Sequence, residues 1–121
     1  MATIVIAIMA VFFFGMGVVA LAAPAAMLRP FAITLAEAQS RSEVRAGYGG
    51  YGLAMAAILA IAAVDSGFHR SGIMITVGAA LAGMAFGRLA SAVVDKRTSF
   101  YPNWFYFLVE TIGAAVLLAT A

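Results

Sequence analysis

Four long apolar stretches occupy most of this chain, about residues 3–23, 47–64, 73–94 and 101–121. A helix needs roughly 20 apolar residues to cross a bilayer. In hydrocarbon every backbone N–H and C=O must find a partner inside its own segment, so helices are the structures that fit. Charged residues make up 10% of the 121 residues, against about 25% in a soluble domain. The mean hydropathy is +1.08. There is too little polar surface here to cover a globule in water. The expectation is all-α: an integral membrane four-helix bundle in one domain over residues 1–121, with no room left for a soluble domain.

Residue types that are missing narrow the chemistry. With no cysteine, disulfides, thiolate metal sites and iron–sulfur clusters are excluded. His69 is the only histidine, so haem held by two histidines of this chain is excluded as well. Ala20-Leu21-Ala22 looks like a small-residue cleavage site, but no Lys or Arg precedes the first apolar run. That run is also long for a signal core, so a retained helix is expected.

Loop charge sets the expected orientation. Arg29, Arg41, Arg45, Lys96 and Arg97 follow segments one and three, whereas the turn after segment two carries only Arg70. By the positive-inside rule, loops 24–46 and 95–100 face the cytoplasm and both termini lie in the periplasm. The basic balance is therefore read as topology, not as nucleic-acid binding.

Segment one is apolar all round. Pro24 and Pro30 punctuate the chain after it. Between them and Gly47 lie mixed charged and apolar residues, read either as a short interfacial helix over Ala32–Ser40 or as a solvated loop. Segment two opens on Gly47-Tyr48-Gly49-Gly50-Tyr51-Gly52. Small residues at helical spacing let helix backbones approach in a bilayer. Gly50 with Ala54, and Gly83 with Gly87, are therefore expected packing positions, the second pair within the chain more than between copies. Tyr101, Trp104 and Tyr106 belong to an aromatic cluster of the kind found at membrane interfaces. Pro102 falls in the first turn of segment four, where proline is accepted.

Arg88 and Glu110 are charged residues inside apolar segments three and four. A charge near the bilayer centre costs at least about 2.5–3.5 kcal/mol on insertion scales. Counted from the shared loop, Arg88 lies roughly 10 Å and Glu110 roughly 13 Å deep at the helical rise. The short turn between their segments makes them antiparallel neighbours, so an interhelical pair is expected. Arg88, Ser91 and Asp95 share a helix face by their spacing. Asn103, Tyr106, Phe107 and Glu110 share another. Glu43, Arg45, Tyr48 and Tyr51 enter from the same side. One cytoplasm-facing polar pocket built from Glu43, Arg45, Tyr48, Arg88, Ser91, Asp95 and Glu110 is the candidate site. Two plainer readings stand beside it: Arg88 snorkels to the interface, or the pair only fixes helix register.

Glu43-x-Arg45-x-x-Tyr48-Gly49-Gly50, Gly87-Arg88 with Ser91 and Asp95, and Trp104 with Glu110 together form a pattern over nearly the whole chain. It resembles a family of small four-helix bacterial membrane proteins described only as a domain of unknown function, itself similar to the DoxX-like group. The resemblance implies a bacterial inner-membrane protein and no settled activity. Some DoxX-like proteins are linked to thiosulfate–quinone redox chemistry or oxidative stress. The absence of cysteine speaks against thiol-based versions of such a role.

No catalytic motif and no metal-ligating cluster is apparent, and no cofactor is expected beyond a possible bound lipid or quinone. The first functional expectation is a non-enzymatic accessory or assembly partner of a larger membrane complex. The alternative is a binder of a quinone or lipid headgroup held by Arg45, Arg88 and Tyr48. A small oligomeric transporter ranks third, because segment one carries no charge. The expected partners are membrane lipids, a larger complex or further copies of this chain, and no nucleic acid.

Overall fold

Every regular element in the computed structural model, which describes residues 1–121, is helical. Four helices are long and apolar enough to cross a membrane: α1 (Ala2–Ala22), α3 (Ala38–Val64), α4 (Arg70–Val94) and α5 (Phe100–Thr120). A short α2 (Pro24–Leu28) follows α1 directly. Proline opens α2 at its first turn, where a missing N–H costs nothing. A 3₁₀ turn over Arg29–Phe31 then ends at Ala32 in the left-handed region (φ 61°). Of the two readings of this stretch, the interfacial helix over Ala32–Ser40 is not formed, and residues 32–37 run as a loop. The helical part of this connection is α2 and its 3₁₀ turn, and α3 begins at Ala38, well before the expected start at Gly47.

α1 shows why the sequence makes a bundle. Ile6, Met9, Phe13, Gly17 and Ala20 recur at helical spacing and are buried. Ile4, Ile8, Val11, Phe14 and Val18 recur on another face and are exposed. So much exposed apolar surface suits lipid and not water. α1 packs mainly along α3, and α4 along α5; the two pairs meet through α1 with α5 and α3 with α4.

The close approach of α1 and α3 uses other small residues than those expected. A Cβ on Gly17 would lie 2.8 Å from the Leu53 backbone N, and one on Gly52 2.9 Å from the Phe13 carbonyl oxygen. Gly50, Ala54, Gly83 and Gly87 are all exposed. A Cβ on Gly83 or Gly87 would meet nothing within 4 Å. The expectation that Gly83 and Gly87 pack within the chain is therefore corrected, and Gly50 and Ala54 lie on the outside too: helical rotation turns all four outward.

The bundle is filled unevenly. Ile6, Met9, Phe13, Leu59, Met74, Leu81 and Leu117 belong to one core cluster toward the termini. At the opposite end Ala20, Leu28 and Val44 form a smaller cluster, which holds α2 against the bundle. Between these clusters, on the side of the 24–37 connection, the four long helices leave a cavity.

Candidate functional site

Arg88 and Glu110 meet at that cavity. Arg88 Nε donates to Glu110 Oε1 at 2.7 Å and Nη2 to Oε2 at 3.0 Å. This is the planar two-pronged geometry that a guanidinium makes with a carboxylate. Nη1 donates to Asn103 Oδ1 at 3.2 Å. Glu110 is only 3% exposed. An arginine has five N–H groups; those three bonds leave one N–H on each Nη without a protein acceptor. The guanidinium carbon also stands 5.8 Å from the ring centres of both Phe31 and Tyr106, within cation–π range.

The cavity holds about 420 Å³ and is lined by all four long helices and by the α2 connection. Phe12, Phe13 and Met16 come from α1, Tyr48 and Tyr51 from α3, Met84 and Arg88 from α4, Tyr101, Tyr106 and Glu110 from α5. Phe31 closes it from the connection, with its ring 5.5 Å from Tyr106. The result is an apolar, aromatic chamber with one neutralised ion pair and tyrosine hydroxyls as its polar groups.

Local winding puts these side chains in place. The glycine-rich run Arg45–Gly50 is wound as a wide π-turn, and the Tyr51 N–H reaches back to the Ala46 carbonyl. Such turns recur at functional sites because they shift the register of a helix face. Here the turn carries Gly47 and Tyr48, with Tyr51 following it. A second π-turn opens α5 over Phe100–Trp104. Inside it Tyr101 is extended (φ −96°, ψ 135°), as the residue before a proline tends to be. Tyr101 lines the cavity, and Asn103 reaches Arg88 from the same turn.

The structure brings together Tyr48, Arg88 and Glu110 of the expected pocket and leaves its other members outside. Arg45 Nε donates to the Leu21 carbonyl at 3.0 Å, satisfying an orphan acceptor at the C-terminal end of α1. Glu43 is exposed. Ser91 lines a separate cavity. Asp95 is exposed and ends α4, its N–H on the Ser91 carbonyl at 2.9 Å. Trp104 is half-buried and Tyr101 exposed, while Tyr106 is drawn inward to the ion pair. Asn103 and Tyr106 had a signal in their spacing from Glu110. Phe31 had none, because its place depends on the path of the connection.

A family model described as a domain of unknown function, DUF4345, matches residues 1–121. The chain belongs to this family. No curated protein and no solved structure matches it. The family carries no activity with it, so the functional reading rests on the geometry of this DUF4345 chain.

Proposed function

We propose that the cavity at Arg88–Glu110 binds the neutral, carbonyl-bearing ring of a membrane amphiphile, with a quinone as the class that fits best. The observation that carries this is the pair itself, bidentate and with its carboxylate buried, with two Arg88 N–H groups left over beside an aromatic chamber. The pair sums to zero charge, which gives an anionic headgroup no net attraction. Spare N–H groups and tyrosine hydroxyls donate to carbonyl oxygens, and Phe31, Tyr48, Tyr51 and Tyr106 offer faces for a flat ring. A volume of about 420 Å³ is in the usual range for a small-molecule site. The role is binding, and Arg88 is a hydrogen-bond donor in it. In this reading the protein lies in a bacterial inner membrane with the loop end toward the cytoplasm.

Equilibrium binding of a short-tailed ubiquinone to the protein in lipid nanodiscs tests it. Saturable binding is expected, weakened at least about tenfold by Arg88→Lys, which keeps the charge and loses the planar fork. Unchanged affinity in Arg88→Lys, with Tyr48→Phe and Tyr106→Phe also silent, would sink the reading.

A second reading, the accessory partner, has its own support. Gly83 and Gly87 leave an open notch on the lipid-facing side of α4, and small residues of this kind are what helices use to associate in bilayers. Gentle extraction tests it: a native mass that falls in Gly83→Leu would support a partner on this face, and an unchanged mass would remove it.

A further inference from the structure

A second cavity, of about 680 Å³, opens at the same end of the bundle, between the end of α4, the 95–100 loop, the first turn of α5 and residues Pro30–Ala32 of the connection. It differs in chemistry from the aromatic chamber. Lys96 and Arg97 line it, and neither belongs to the one salt bridge in the molecule. Asn103 lines it too; its Oδ1 is taken by Arg88, which leaves its amide N–H groups to face other acceptors. Trp104, Ser91 and Thr98, each of which carries a hydrogen-bond donor, line it as well. No carboxylate is among the lining residues.

We infer that this second cavity is a phosphate site for the headgroup of an anionic phospholipid. Two unpaired cations and several neutral donors, with no acidic neighbour in the lining, are the complement of a phosphodiester, whose oxygens only accept. Free phosphate has the same chemistry. A lipid is the favoured source because Phe100 and Trp104 line the same cavity. Aromatic residues of this kind mark headgroup depth, and basic pockets at the ends of membrane helices take anionic headgroups. The proposal stands without the quinone reading, although the two cavities adjoin: Pro30 and Phe31 line both, and Asn103, whose oxygen holds Arg88, lines the second.

The test is lipid retention by the intact protein, purified from mixed phosphatidylglycerol and phosphatidylcholine bilayers and weighed by native mass spectrometry. Wild type should keep phosphatidylglycerol at least about fivefold over phosphatidylcholine, and Lys96→Gln with Arg97→Gln should abolish the preference. Both residues are exposed and without hydrogen-bond partners, so this variant should melt like wild type. Arg41→Gln with Arg70→Gln, of equal net charge, should keep the preference. Equal retention of the two lipids by wild type, or equal loss in both charge variants, would overturn the site. Displacement of the lipid by millimolar inorganic phosphate or glycerol phosphate in detergent would overturn the lipid assignment in favour of a soluble phosphate. Quinone affinity measured on the same samples separates this outcome from that of the first cavity.

Discussion

Glu110 is the one charged residue that folding buries, and Arg88 is what makes that tolerable. Removing one partner of a buried pair leaves the other charge without compensation, at about 3–5 kcal/mol, whereas replacing both with apolar residues is often neutral. Arg88→Gln, which strands the buried Glu110 carboxylate, should therefore lower the melting temperature in detergent sharply. Arg88→Met combined with Glu110→Leu should recover most of that loss and still bind no quinone. If the double variant melts as low as the single one, the pair is holding helix register and not merely cancelling itself. Arg45 gives the contrast. Its cation at the C-terminal end of α1 contributes about 0.3–1 kcal/mol by the usual helix-end interaction. Arg45→Ala should cost about that much in thermal melts and leave quinone affinity unchanged, because its guanidinium is on the Leu21 carbonyl and not in the cavity.

At the scale of the helices, the useful glycines are those that touch. Gly17 and Gly52 let α1 and α3 approach until no Cβ fits between them. Gly52→Leu should cost about 1–3 kcal/mol by overpacking, read as a lower melting temperature with loosened contact between α1 and α3. Gly83→Leu meets open space, so it should melt like wild type whatever it does to association. Equal losses in the two variants would mean that the assigned helix rotations are wrong. The spacing of small residues was visible in the sequence. Which of several small-residue rows faces a neighbour was not, because α1 is apolar on all sides and the few polar residues of the other long helices gather near one end, so the pattern offers little contrast to orient them.

The whole molecule is packed toward its termini and open toward its charged loops. That polarity, with Arg29, Arg41, Arg45, Lys96 and Arg97 at the open end, puts both cavities on the side that the positive-inside rule assigns to the cytoplasm. The cysteine-free background makes the orientation directly measurable. Ser42→Cys, at the loop end, should resist a membrane-impermeant maleimide in intact cells and react after lysis. Ser66→Cys, in the opposite turn, should react at once. The reverse pattern would invert the orientation and move both cavities to the outer face.

The sequence by itself determined that this chain is helical, that four segments are long enough to cross a membrane, and that Arg88 and Glu110 reach similar depths. Those follow from quantities fixed per residue: the cost of an unsatisfied backbone in hydrocarbon, the helical rise, and the cost of an isolated charge. Tertiary structure alone decided which glycines touch, that Arg45 caps a helix, that Ser91 and Lys96 line a different cavity from Arg88, and that Phe31 closes the aromatic chamber. Those depend on helix rotation and on the path of the 24–37 connection. In a chain this uniformly apolar, rotation and path are set by packing between helices, to which local sequence pattern is nearly blind.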